Sequence, residues 1–116
     1  MKRFLAVYTG SAEAMSRWEA LSEAQRSERH AAGFKAWNEW GEKNRACIAE
    51  AGSPLGRTKL VSRAGISDIR NNMAAFTVVW AESHEAAAKL FENHPHFTLF
   101  PGEGVEVMEC LPIPSA

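Results

Sequence analysis

At 116 residues, with 46% apolar and 23% charged side chains, the chain has the size and composition of one globular domain spanning 1–116 and is unlike disordered sequence. Thirteen basic against fourteen acidic residues leave a formal net charge of −1, which excludes the basic footprint of a dedicated nucleic-acid binder. Cys47 and Cys110 lie far apart with no Cys/His ligand spacing, so neither a disulfide framework nor a metal site is expected, and no cofactor motif is present.

Lys2 and Arg3 precede the apolar run Phe4-Leu5-Ala6-Val7-Tyr8, a faint echo of a secretion signal. The run is too short for one and Gly10-Ser11 ends it, so it reads as a first strand of a soluble, cytoplasmic protein without a membrane segment. Apolar residues on both faces of Phe4–Thr9 predict a strand buried on both sides. Ser11 then caps a short helix to about Ala20. Ser22 with Gln25 three positions later is a capping-box pattern and starts a second helix near Glu23. Its inward stripe is Phe34, Trp37, Gly41, Asn44 and Ile48, flanked by Trp40 and Cys47. Gly33 and Gly41 each cost about 1 kcal/mol relative to alanine inside a helix, and Gly41, on the apolar stripe, is expected to admit a close neighbour. Gly52-Ser53-Pro54-Leu55-Gly56 reads as the stop of this helix.

Arg57 to Arg63 alternates, with Arg57, Lys59 and Arg63 on one side, which suits a charged edge strand. Ala64–Asn72 reads as a polar hairpin connection and Ala74–Ala81 as a central strand. Ser83 caps the next helix, which turns Ala87, Leu90 and Phe91 inward and ends at Asn93-His94-Pro95. Phe97–Phe100 reads as a short extended piece. Val105–Leu111 is the last strand, ended by Pro112 and Pro114. The order is βααββαβ, a ferredoxin-like α+β arrangement with an antiparallel sheet and helices on one face. The charged second strand falls at an edge of that sheet. Apolar residues on the uncovered sheet face need a partner, and the simplest one is the same face of a second copy.

Several segments carry a family likeness: Lys2-Arg3-Phe4-Leu5, Gly52-Ser53-Pro54-Leu55-Gly56, Ser83-His84-Glu85-Ala86-Ala87 through His94-Pro95, and Gly104-Val105-Glu106-Val107-Met108. Over most of the chain the pattern resembles the YCII-related family, also grouped with the DGPF-type proteins, of the dimeric α/β-barrel superfamily. The resemblance implies the ferredoxin-like fold and a homodimer. Members proposed to be enzymes carry a histidine on the first long helix that works with an aspartate. Counted back from Gly52, that position falls at Lys35 or Ala36, and His30 is more than a helical turn earlier. The family's Asp-Pro is His94-Pro95 here. The acid–base pair therefore does not carry over, and the resemblance implies a fold rather than a reaction.

His94 and His96 flank Pro95. Either could act as general acid or base, with His94 the first choice for proton transfer, or His94 could cap the end of the preceding helix. Tyr8, Trp37 and Trp80 could line a pocket for a planar ligand, or could serve as core and dimer interface, where each aromatic buries ~150–250 Å². Arg57, with Lys59, Arg63 and Arg70, could hold a carboxylate, or could be the solvated face of an edge strand. Gly102-Glu103-Gly104 opens a strand rather than a helix and so is not a phosphate loop. The expected function is binding of a small organic ligand in a dimeric barrel, with acid–base chemistry as its sharper form. The alternative is a non-catalytic homo-oligomeric module.

Overall fold

The computed structural model describes residues 1–114. The first apolar run forms β1 (Lys2–Thr9), whose alternation buries Phe4, Ala6 and Tyr8 on one face and turns Leu5 and Val7 to the other. Ser11 accepts from the Ala14 N–H and opens α1 (Ala12–Glu19). Ser22 and Gln25 close both halves of the capping box that opens α2 (Glu23–Lys43). There follow β2 (Ile48–Pro54), β3 (Thr58–Ser62), β4 (Gly65–Ile69), β5 (Met73–Ala81), α3 (His84–Lys89), α4 (Pro95–Thr98) and β6 (Gly104–Glu109). Among the described residues no helix is long and apolar enough to cross a membrane.

Four strands form an antiparallel sheet in the order β2-β5-β1-β6, the ferredoxin-like order with the second strand at an edge. Different residues from those expected fill that edge. The periodicity predicts helix through Ile48, but α2 ends at Lys43. There the backbone and side-chain amides of Asn44 both donate to the Trp40 carbonyl, at 3.0 and 2.9 Å, and a single 3-10 turn at Arg45–Cys47 leads into β2. Gly52-Ser53-Pro54 is therefore not a helix stop. It is the irregular half of an edge strand, where the register with β5 shifts twice between Ile48 and Ser53. Glycine and proline mark both helix ends and bulged edges, so the same letters fitted either reading. The charged segment at Arg57–Arg63 is displaced from the sheet altogether. It forms β3, which pairs only with β4 in a separate two-stranded hairpin between β2 and β5.

The core lies between the sheet and its helices. Phe4, Ala6, Tyr8, Val79 and Ala81 meet Ala87 and Phe91, roofed by Trp37, Trp40 and Leu90. Trp40 ties the roof together by donating its indole N–H to the Leu90 carbonyl at 2.7 Å. The helix after β5 is shorter than expected. It ends at Lys89, and Asn93 takes a left-handed φ of 54°, a conformation asparagine tolerates better than most residues. His94 does not cap that helix end. It starts the next helix: its Nδ1 accepts from the His96 N–H at 3.0 Å, and Pro95 takes the first helical position. Phe97 and Thr98, expected in an extended piece, thus belong to α4.

Gly33, not Gly41, is where α2 is closely approached. A Cβ on Gly33 would lie 2.5 Å from the Phe100 ring, whereas nothing lies within 4 Å of one on Gly41. Gly41→Ala should therefore stabilise the protein by about 0.5–1 kcal/mol through helix propensity alone. A higher urea midpoint checks this, and an unchanged or lower one refutes it.

Candidate functional site

Between α2 and the β2–β5 edge the chain leaves a cleft of about 450 Å³, within the ~300–1,000 Å³ of small-molecule sites. β1 supplies Tyr8, α2 supplies Phe34, Trp37 and Asn38, and β2 supplies Gly52 and Ser53. β5 adds Phe76 and Thr77, and the far end is closed by His96 and Phe100. No Asp, Glu, Lys or Arg among the described residues lines it. No group of three or more His, Cys, Asp or Glu among the described residues is placed to hold a metal.

The polar groups at the cleft floor are already committed. Thr77 donates its hydroxyl to the Ala51 carbonyl at 3.1 Å, so it must accept from the Tyr8 hydroxyl at 3.0 Å. Burial pushes the Tyr8 phenol up to about 12, with the Thr77 hydrogen bond a smaller opposing effect. Tyr8 is thus a neutral phenol at ordinary pH.

The two histidines differ. His94 is 1% exposed and enclosed by Tyr8, Trp37, Trp40 and Phe91, with ring centroids at 5.1, 4.6, 4.7 and 5.9 Å. Its Nδ1 accepts the His96 N–H, so the neutral ring carries its proton on Nε2. That atom is buried without a hydrogen-bond partner among the described residues, and the indoles of Trp37 and Trp40 meet the imidazole edge-on. Burial first, and His96 second, lower His94 to about 4. His94 therefore stands behind the cleft wall rather than on it.

His96 is on the wall. Its Nε2 lies 2.7 Å from the Thr9 carbonyl, which can only accept, so the proton sits on Nε2 and the Nδ1 lone pair is left over. Unlike His94 Nε2, that nitrogen is not sealed from solvent. Burial lowers the His96 pKa, and the bond to Thr9 partly offsets this. The ring fits only because residue 102 is glycine: a Cβ there would sit 2.3 Å from its Nε2.

Of the residues singled out from sequence, Tyr8, Trp37 and His96 meet in the cleft, and His94 packs directly behind them. Trp80 does not join them. Alternation along β5 turns it to the opposite sheet face, where the Arg3 guanidinium lies 5.6 Å from its ring centroid. Arg57 is also elsewhere, at the root of the hairpin. There it lines a larger concavity of about 1,190 Å³ together with Lys59, Asp68 and Arg70, and neither Tyr8 nor the two histidines line it. Asn38, Thr77, Gly52 and Phe100 were not anticipated. Thr77 carried a usable signal, since one hydroxyl inside Ala74–Ala81 must find a partner in the core.

No family model and no curated protein matches the chain. Among solved structures it is similar to 5-chloro-2-hydroxyhydroquinone dehydrochlorinase (TftG) from Burkholderia phenoliruptrix AC1100, in complex with 2,5-dihydroxybenzoquinone. The identity is 19% over 90% of this chain and 89% of that one, with a TM-score of 0.51. The likeness is one of fold alone: an α+β chain with an antiparallel sheet and helices packed on it.

Proposed function

We propose that the cleft binds a small planar ligand bearing a ring hydroxyl, and that His96 Nδ1 accepts that hydroxyl's proton or hydrogen bond. One observation carries this reading: an aromatic-walled cleft with no charged side chain holds one imidazole nitrogen that is both uncommitted and accessible. An uncharged wall favours a flat, weakly polar ring over a carboxylate, since an unpaired anion there would lose its hydration without compensation. The fold neighbour is described with a flat, hydroxylated quinone ring, which agrees in shape with this ligand class. His96 takes the role that the sequence suggested for His94, because a ligand in the cleft meets His96 first. His94 acts by holding the start of α4 through its bond to the His96 N–H. The site would be enzymatic if His96 returned that proton to another atom of the ligand and so regained its neutral imidazole, and a YCII-related family placement fits the fold.

A second copy is the natural cover for the sheet face opposite the helices. Leu5, Val7 and Trp80 are only partly buried there, and Met108 is 42% exposed. A homodimer through this face is the assembly we infer, and it is compatible with either a binding or a purely structural role.

The ligand reading is tested with hydroquinone, catechol and 2,5-dihydroxybenzoquinone by thermal shift and calorimetry. At least one should raise Tm. His96→Gln, which keeps a donor for the Thr9 carbonyl but loses the Nδ1 acceptor, should weaken its binding about tenfold, the size of one net hydrogen bond. Arg57→Ala should leave binding unchanged. A flat response to all three compounds, or equal affinity in the glutamine variant, overturns the proposal.

A further inference from the structure

We propose that the β3–β4 hairpin is an assembly arm that lies on the acid-rimmed open sheet face of a second copy of this chain. The hairpin leaves its own body unsupported. Among the described residues β3 and β4 pair only with each other, and every residue from Lys59 to Ala74 is exposed. A two-stranded hairpin alone in water is marginal at best. The projection also shows in the shape: the radius of gyration is 16.2 Å and the longest dimension 56 Å, where a compact domain of this length has a radius of about 13 Å.

The composition of the arm is not that of a solvated hairpin. Val61 and Ile66 are paired across the strands on one face, at 73% and 71% exposure. Lys59 and Asp68 share that face, bridged at 2.7 Å. The same alternation carries Arg57 and Arg63 on one strand and Arg70 on the other to this side. The face therefore has an apolar centre ringed by four cations and a single carboxylate.

A surface of the opposite kind exists on the same molecule. On the open face of the main sheet, Leu5, Val7, Val78 and Trp80 form an apolar centre. Each edge strand adds an exposed carboxylate to that face: Glu50 lies opposite Val78 in register, and Glu106 opposite Val7, against one cation, Arg3, which lies beside Trp80 at one end. Net charge divides the same way. The segment from Leu55 to Asn72 carries four basic and one acidic residue, so three positive charges in excess there leave four negative in excess elsewhere in a chain of net −1. The arm does not fold back over its own sheet. A two-fold partner satisfies both surfaces at once, each arm covering the other copy's face. This docking rests on the homodimer through this face inferred above and makes the partner's arm the element that covers it.

Light scattering and sedimentation on the full chain from 1 to 100 µM provide the test. The wild-type chain should be dimeric at low micromolar concentration. Val61→Asp with Ile66→Asp should raise the dimer Kd at least tenfold without altering the circular dichroism, since both side chains are exposed in the monomer. Arg63→Glu with Arg70→Glu, and separately Glu50→Lys with Glu106→Lys, should each weaken self-association. An equimolar mixture of those two charge-reversed chains should recover it as a heterodimer. A dimer indifferent to all arm substitutions overturns the arm while leaving the sheet-face dimer standing. A wild-type monomer throughout the range overturns both. A monomer whose arm cations instead retain a nucleic-acid duplex assigns the arm to a different partner and likewise overturns the proposal.

Discussion

Replacing Gly52 by alanine is expected to destabilise the protein by about 3 kcal/mol or more, enough to unfold a domain of ordinary marginal stability at modest temperature. Gly52 has φ 77°, and an alanine Cβ there would fall 1.7 Å from the Phe76 carbonyl oxygen and 2.6 Å from its carbon. The left-handed conformation alone costs an L-residue about 1–2 kcal/mol. The clash costs more, because the obstacle is backbone of the central strand β5 and cannot rotate away. Relief requires β2 to separate from β5, which opens the cleft wall formed by Gly52 and Ser53. Urea unfolding of the variant beside Gly41→Ala checks the contrast. Two glycine-to-alanine changes should move the midpoint in opposite directions, and a Gly52 variant as stable as wild type would contradict the geometry of this edge.

Acidification from pH 7 to 4.5 should remove about 2.5 kcal/mol of stability through His94 alone. The imidazole ordinarily titrates at 6.5, and in the folded chain at about 4, lowered by burial and by His96. Above 6.5 both states hold a neutral ring and nothing is gained or lost. Between 6.5 and 4 the unfolded chain takes up a proton that the folded chain refuses, so unfolding is favoured as pH falls. His96, also lowered by burial, acts in the same direction. Tyr8 acts at the other extreme. Its raised pKa means the unfolded phenol ionises first above pH 10, again at the expense of the fold. Urea midpoints at pH 7, 6, 5 and 4.5 measure the acid arm. His94→Asn, which retains a capping acceptor, should start less stable but show a flatter slope between pH 6.5 and 4.5. An unchanged slope would mean that His94 is not the group that refuses the proton.

Local signals in the chain were reliable wherever short-range physics decides. The serines at 11, 22 and 83 cap helices because a hydroxyl satisfies a free N–H three residues away, whatever lies further off. The faces of β1 follow from strict alternation. The strand count and edge position of a ferredoxin-like sheet are legible from element order, yet the charge pattern points to Arg57–Arg63 for the edge that Ile48–Pro54 fills. Arg57–Arg63 looks like an edge strand because any hairpin exposed on both sides carries the same charges. Ile48 looks helical because it lies four residues after Asn44, in step with the stripe that includes Trp37 and Gly41.

The candidate site was half visible. Tyr8, Trp37 and His96 could be named from composition and position. Their meeting depends on Asn93 turning the chain inward, and on glycines at 33 and 102 that leave space for Phe100 and His96. Trp80 was separated from Tyr8 by a single step of strand parity, which becomes decisive only once the paired register is known. The choice between His94 and His96 rested on which ring nitrogen finds a carbonyl. The sequence by itself determined caps, alternation, fold class and the aromatic stock, because these follow from contacts within a few residues. Only the tertiary structure decided which strand closes the sheet, which histidine faces the cleft and where the charged hairpin projects. Those outcomes depend on groups brought together from as far apart as Thr9 and His96, and nothing local to either residue encodes that encounter.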